Sequence, residues 1–150
     1  MNEFDLINSP LAGVNLIEAS AGTGKTHTIS FLFLRLILEK KLTIDRILVV
    51  TFTQAATQEL KDRVFNLLLK TREAVISGKS NDPLIDTLVK QREKNHKDIE
   101  TLQNAISDFD KASIFTIHGF CNRILKDNAF DRKSPMIFGA RMSINPRLNL

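Results

Sequence analysis

The chain has 150 residues, of which 43% are hydrophobic, and it carries 21 Lys and Arg against 17 Asp and Glu. This composition is typical of one globular domain with a sizeable core, and no apolar run is long enough to cross a bilayer, so we expect no membrane partner. The single cysteine, Cys121, excludes an internal disulfide and favours a reducing, cytoplasmic location.

The first predicted elements are a strand, a glycine-rich loop and a helix. The apolar run 14–17 indicates a short buried strand, and apolar residues recur at helical spacing from His27 to Leu38. Between these two segments lies the sequence Ala19-Ser20-Ala21-Gly22-Thr23-Gly24-Lys25-Thr26. A strand that enters a helix through such a loop is the usual context of a phosphate-binding loop.

The glycine-rich loop has the properties of a phosphate cradle. Gly22 and Gly24 let several backbone N–H groups point into one concavity, and the helix start adds the positive end of its dipole. We expect Lys25 to contact the β- and γ-phosphates of ATP and the Thr26 hydroxyl to help hold Mg²⁺. Ala19 stands where the usual motif has glycine, and the alternative is a chance glycine turn before an ordinary helix.

A second strand and a long helix come next. The apolar, β-branched run 46–52 is typical of a parallel strand that is covered on both faces. The strand–helix–strand order therefore predicts an α/β fold. Thr53 is a candidate N-cap for a long helix, which ends at the strong helix breakers in 77–83.

The remaining segments return from helix to strand. Helical spacing recurs in 84–89 and 99–109, so we interpret roughly residues 70–110 as a helical insertion beside the sheet. Strand character returns at 112–116 and is followed by another helix. The tail of the chain has no convincing periodicity, and we expect residues 139–150 to be poorly ordered.

Hydroxyl and aromatic residues stand at the ends of the second and third strands. They are Thr51, Phe52, Thr53, Thr116 and Phe120. The carboxyl ends of parallel strands meet at one edge, so these residues should lie together. Hydroxyls and helix N-termini suit phosphate oxygens, and an exposed Phe can stack on a base, which predicts a single-stranded nucleic acid as partner. The alternative is that Phe52 and Phe120 fill the core.

Three motifs in this order resemble those of UvrD/Rep-type superfamily 1 DNA helicases, in particular the helicase–nuclease members. The motifs are Ala19 to Thr26, Thr51-Phe52-Thr53-Gln54-Ala55-Ala56 and Phe115-Thr116-Ile117-His118-Gly119-Phe120-Cys121. Alanine at position 19 is itself usual in this family. The resemblance covers roughly residues 10–138. It implies an incomplete, RecA-like P-loop NTPase domain, with helices on both faces of a parallel sheet.

The resemblance also implies a function. It assigns the loop 19–26 to ATP, with Thr26 on Mg²⁺, and it places single-stranded DNA near Thr51, Phe52, Thr53, Thr116 and His118. The whole protein would be an ATP-dependent DNA helicase and exonuclease subunit in double-strand break repair and recombination. Its partners would include the other subunits of a helicase–nuclease complex.

Some parts that the family needs for ATP turnover are missing from the sequence. No Asp-Glu pair follows an apolar strand, and no second RecA-like domain or nuclease domain is present in these 150 residues. We therefore expect weak nucleotide binding without hydrolysis. One alternative is a non-catalytic DNA-binding or docking module with a vestigial phosphate loop. The other, a small P-loop kinase, is disfavoured because residues 70–110 offer only Arg72 and Arg92 for a lid.

Overall fold

The computed structural model describes residues 5–18, 24–92 and 96–129. The elements in these ranges are α1 (Lys25–Lys40), a 3₁₀ turn (Ile44–Arg46), β1 (Leu48–Thr51), α2 (Gln54–Ser77), α3 (Pro83–Gln91), α4 (His96–Ser107), a 3₁₀ turn (Phe109–Lys111), β2 (Ser113–Thr116) and α5 (Ile117–Ala129). No helix within these ranges is long and apolar enough to span a membrane. The prediction for residues 139–150 lies outside the described residues.

The two strands confirm the predicted α/β class. β1 and β2 pair in parallel, with Leu48 opposite Ser113 and Thr51 opposite Thr116. Both α2 and α5 pack against the strands. This arrangement places the carboxyl ends of β1 and β2, and the beginnings of α2 and α5, at the same edge of the sheet.

β1 differs from the strand that its sequence predicted. It has four residues, so it is shorter than the apolar run 46–52. Leu48 is 48% exposed and Val50 is 40% exposed in the described part of the chain, so the coverage of both faces stays a prediction for this strand. Alternate residues of a strand point to opposite faces. One face of β1 is therefore open within the described part of the chain, while the other faces the core.

Helices α1, α2 and α4 pack against one another and form most of the hydrophobic core. The fully buried apolar side chains are Phe31, Phe33, Leu34, Ile37 and Leu38 of α1, Leu60, Val64 and Leu68 of α2, Ile85 of α3, Leu102 of α4 and Ile114 of β2. α1 is longer at both ends than the predicted 27–38. Ile29, in its second turn, is 40% exposed. The buried stripe of α1 is therefore centred further along the helix.

The predicted helices of the stretch 70–110 are present as α3 and α4, and their status as an insertion stays a prediction. A buried carboxylate joins them to the end of α1. Asp98 accepts hydrogen bonds from Nε of Arg92 at 2.9 Å and from Nζ of Lys41 at 2.5 Å. Nη2 of Arg92 also donates to the carbonyl oxygen of Leu38 at 2.8 Å. These bonds satisfy a carbonyl group that the end of a helix leaves unpaired.

The predicted buried strand at 14–17 is not formed. Val14 is fully exposed, and the segment has no strand geometry. The side-chain amide of Asn15 donates instead to the carbonyl oxygens of Pro10 and Ala12, at 3.3 and 3.2 Å. A local side-chain bond of this kind offers the backbone a turn as an alternative to strand pairing. The prediction of a strand here was therefore wrong.

Candidate nucleotide and nucleic-acid site

The described part of the predicted phosphate loop is its last residue and the beginning of α1. Gly24 is the N-cap of α1, with a φ of +81°, in the left-handed region that favours glycine. Its carbonyl oxygen accepts the first helical hydrogen bond, from Thr28 N at 2.9 Å. The remainder of the cradle, residues 19–23, lies outside the described residues. The predicted roles of these five residues therefore stay predictions.

The start of α1 suits an anionic ligand. Gly24 supplies no capping side chain, and the first turn contains no acidic residue, so no side chain of α1 competes for the unpaired N–H groups. Lys25 is exposed and has no ion-pair partner among residues 5–18, 24–92 and 96–129. Thr26 is half-buried in the same turn. An ammonium group, a hydroxyl and free N–H donors are the groups that hold a nucleotide phosphate and its Mg²⁺.

The protein itself offers no separate metal centre in the part of the chain that the structure describes. No group of three or more His, Cys, Asp or Glu side chains is placed there to hold a metal ion.

At the end of β1, three threonines form a connected set of hydrogen bonds. The hydroxyl of Thr51 lies 2.6 Å from the hydroxyl of Thr57, and the Thr57 hydroxyl lies 2.9 Å from the carbonyl oxygen of Thr53 and donates to it. Thr53 is the N-cap of α2, as predicted, and its hydroxyl accepts from Ala56 N at 3.1 Å. These hydroxyls hold the strand end against the first turn of α2. Thr53 is also exposed, so a phosphate oxygen can approach it.

At the end of β2, Thr116 anchors α5. Its buried hydroxyl accepts a hydrogen bond from Gly119 N at 3.0 Å. A Cβ atom at Gly119 would lie only 3.1 Å from that hydroxyl, so the close approach of the helix favours glycine. His118 lies in the same turn and is exposed. A ligand can therefore reach the side chain of His118, whereas Thr116 is buried.

Phe52 projects from the edge where β1 ends, and it is 90% exposed. The alternative prediction, in which Phe52 fills the core, is wrong for the described structure, whereas Phe120 is half-buried. A fully presented aromatic ring at the end of a strand is available for stacking on a base. The strand register brings Phe52 and Thr53 to the same edge as His118.

The start of α1 is placed differently from the strand-end residues. His27 and Ser30 line a recess together with Arg63 and Lys70, which belong to the middle of α2. No hydrogen bond within the described ranges joins Lys25 to the ends of β1 or β2. The structure therefore brings together the five residues that the resemblance assigns to single-stranded DNA, and it places the first turns of α1 against α2.

Sequence reasoning missed three residues that shape the strand-end site. Thr57 is hydrogen-bonded to Thr51, and Gly119 is hydrogen-bonded to Thr116. Each of the two lies in the first turns of the helix that follows a strand, and this position could have indicated its role. The third is Arg123 of α5, whose guanidinium lies 5.1 Å from the centroid of the Phe115 ring. A cation held over an aromatic face in this way is attracted by the ring. No sequence pattern indicated that pair.

Comparison of the sequence with models of known protein families identifies the family of this chain. The model of the UvrD/REP helicase N-terminal domain matches residues 2–148. The chain belongs to this family. The resemblance carried by the three motifs is thereby confirmed.

RecB proteins are among the relatives of this chain. The chain is 42% identical over 143 residues to the RecBCD enzyme subunit RecB of Escherichia coli (strain K12), a match that covers 90% of this chain and 12% of that protein. It is 40% identical to the RecB subunit of Buchnera aphidicola subsp. Schizaphis graminum, over 84% of the chain and 11% of the relative. For RecB of Mycolicibacterium smegmatis, the identity is 37% over 84% of the chain and 12% of the relative. The chain thus spans about one eighth of the length of these relatives.

Proposed function

We propose that this chain is the ATP-binding, N-terminal part of an ATP-dependent DNA helicase and exonuclease subunit that acts in double-strand break repair and recombination. The observation that carries the proposal is the match to the UvrD/REP helicase N-terminal domain over nearly the whole chain. The start of α1 has no capping side chain, and Lys25 is exposed in its first turn; both features support nucleotide binding.

ATP with Mg²⁺ is the proposed ligand of the loop 19–26. Lys25 would neutralise charge on the β- and γ-phosphates, and the Thr26 hydroxyl would orient the metal ion. Gly24 contributes the left-handed turn that aims the following N–H groups at the ligand. When bound, ATP supplies the free energy that a helicase converts into movement along DNA.

Single-stranded DNA is the proposed ligand of the strand-end residues. Phe52 would stack on a base, while Thr53 and His118 lie exposed at the same edge and can contact phosphate oxygens. Thr51 and Thr116 would act mainly by holding the helix starts in place, because their hydroxyls are engaged inside the protein.

Other subunits of a helicase–nuclease complex are the proposed protein partners. This proposal follows from the names of the relatives, which are subunits of a RecBCD enzyme. The 150 residues contain no Asp-Glu pair after an apolar strand to position water and a metal ion, so we propose that they bind nucleotide without turning it over.

Equilibrium binding of a fluorescent ATP analogue in the presence of Mg²⁺ tests the nucleotide site. Lys25→Ala should weaken binding at least about tenfold, because it removes the cation that faces the phosphates. Lys40→Ala is the matched control, since it removes an exposed lysine from the last turn of the same helix, about 22 Å away. It should leave the affinity unchanged.

Three other results would contradict this proposal in different ways. A folded wild-type chain that binds single-stranded DNA but no nucleotide would indicate the non-catalytic module with a vestigial phosphate loop. Rapid ATP turnover that Lys25→Ala abolishes would contradict the proposed lack of hydrolysis. Transfer of phosphate to a small metabolite would favour the kinase alternative.

A further inference from the structure

A polar groove runs along α2, away from the strand-end residues. It begins as a recess of about 240 Å³ between α1 and α2, lined by His27, Arg63, Asn66 and Lys70 among others. A larger recess of about 710 Å³ adjoins it at Lys70 and continues past the end of α2 to the segment 79–83. We call this continuous surface, from Arg63 to Lys79, the α2 groove.

The groove follows one face of α2. Arg63, Asn66, Lys70 and Ser77 recur at intervals of three, four and seven residues, which places them in a row along the helix. Glu59 precedes Arg63 by four residues and lies on the same face of α2. This face reaches the start of the helix at Gln54, two residues after Phe52. The row from Arg63 to Ser77 is about 21 Å long, and α2 extends about 14 Å further back to Gln54. A strand of nucleic acid lying on Phe52 could therefore continue along this face.

Some of the charged side chains in the groove form ion pairs with described residues, and others do not. Lys70 and Lys79 are exposed and have no ion pair with any residue that the structure describes, whereas Arg63 pairs with Glu59 at 2.9 Å. Of the two carboxylates that line the groove, Asp82 caps α3 by accepting from Leu84 N at 2.9 Å.

The second carboxylate, Glu73, lies between the two free lysines along the groove. It opposes an anion there, so phosphate contacts belong at Lys70 and Lys79, on either side of it. A free, flexible ammonium group interacts with phosphate as a point charge and needs no base for recognition.

We propose that the α2 groove binds the phosphate backbone of a single DNA strand that continues from Phe52, with Lys70 and Lys79 as the phosphate contacts. The inference rests on the proposed function, since it extends the DNA path that Phe52 begins. The groove would bind without sequence preference, because it offers charges and polar groups but no exposed aromatic ring among its described lining residues.

The test measures binding of fluorescent oligothymidine of 15 nucleotides at a series of salt concentrations, with the 150-residue chain and its variants. Each phosphate contact contributes about 0.7 to the slope of log K against log salt for single strands. Lys70→Gln and Lys79→Gln should each lower the slope by about that amount and weaken binding about fivefold at 0.1 M salt. Glu73→Gln should tighten binding, because it removes an opposing charge.

Lys40→Gln is the matched control and should leave both the slope and the affinity unchanged, since it lies outside the groove. Circular dichroism should show an unaltered unfolding midpoint for each variant, because Lys70, Lys79 and Glu73 are exposed.

The remaining outcomes overturn the inference in distinguishable ways. If binding depends on Phe52 but not on Lys70 or Lys79, the groove proposal is wrong and the proposed function stands. If Lys70→Gln weakens the ATP analogue and not DNA, the groove serves nucleotide phosphates, and the proposal is wrong. If the folded wild-type chain binds no oligothymidine, the groove proposal and the DNA part of the proposed function fall together.

Discussion

The core between helices α1 to α4 and the edge where β1 and β2 end differ in the burial of their apolar side chains. In the core, Leu68, Ile85 and Leu102 are all 0% exposed, whereas Phe52 at the edge is 90% exposed. Burial of apolar surface is the dominant favourable contribution to folding. The stability of this chain is therefore concentrated in the helices, and the edge is available for binding.

The polar groups of the two regions also differ in burial: they are buried and paired among the helices, and exposed at the edge. Among the helices, the buried carboxylate of Asp98 is bonded to Arg92 and Lys41. At the edge, His118 and Thr53 are exposed and can exchange water for a ligand. A buried, paired charge fixes one arrangement, while an exposed polar group can change partners at little cost. Substitutions in the two regions should therefore affect different measurements.

The largest expected effect tests whether the helices carry the stability. Leu102→Ala should lower the free energy of unfolding by about 2–5 kcal/mol, because it removes a fully buried side chain and leaves a cavity. Leu125→Ala, the same change at an exposed helical position, should stay within about 0.5 kcal/mol. Urea unfolding of both variants measures the difference. Equal losses would show that the exposed face of α5 contributes as much to stability as the core of the helices does.

The next effect tests the buried carboxylate. Asp98→Asn should cost about 1–3 kcal/mol, below the loss expected for a fully buried ion pair, because the side chains of Lys41 and Arg92 are 46% and 25% exposed. Asp108→Asn removes one half of an exposed pair with Lys111 and should change stability by less than about 1 kcal/mol. A loss at Asp98 no larger than that at Asp108 would contradict the distinction between the two regions.

The pH dependence of the Asp98 effect has a definite sign. Burial by itself would raise the pKa of Asp98, but the hydrogen bonds from Arg92 and Lys41 outweigh burial and hold the pKa below its ordinary value of 3.8. The ionised carboxylate therefore stabilises the folded chain above that ordinary value, and this contribution is lost as the pH falls through the lowered pKa. The stability difference between wild type and Asp98→Asn should be constant near neutral pH and shrink below about pH 4. A difference that grew in acid would contradict this assignment.

The sequence predicted the helices well because their signals are local. The N-cap at Thr53 and the left-handed Gly78 at the end of α2 bound that helix in the structure. Helical spacing located α3 and α4 to within a few residues. The phosphate loop was also a local pattern, although its geometry at residues 19–23 lies outside the described ranges and stays a prediction.

The features that the sequence did not predict depend on contacts between distant segments. One exception is local: the run 14–17 is apolar enough for a strand, but the side-chain amide of Asn15 donates instead to the carbonyl oxygens of Pro10 and Ala12. The apolar run 46–52 indicated a buried strand, and the open face at Val50 follows from what packs on the sheet. The α2 groove exists because the start of α1 and the segment after α2 approach the same face of α2. No pattern along the chain reports such an approach.

The smallest expected effect on folding, and a large one on binding, belongs to Phe52. Phe52→Ala should leave the free energy of unfolding unchanged within about 0.5 kcal/mol, because the ring is 90% exposed. If a base stacks on the ring, the affinity for oligothymidine should fall by about 1–3 kcal/mol. Leu125→Ala removes another exposed apolar side chain and should leave that affinity unchanged. A Phe52→Ala chain that unfolds more readily but binds DNA as before would mean that the ring supports the fold, and that the edge is not the open surface that separates it from the helices.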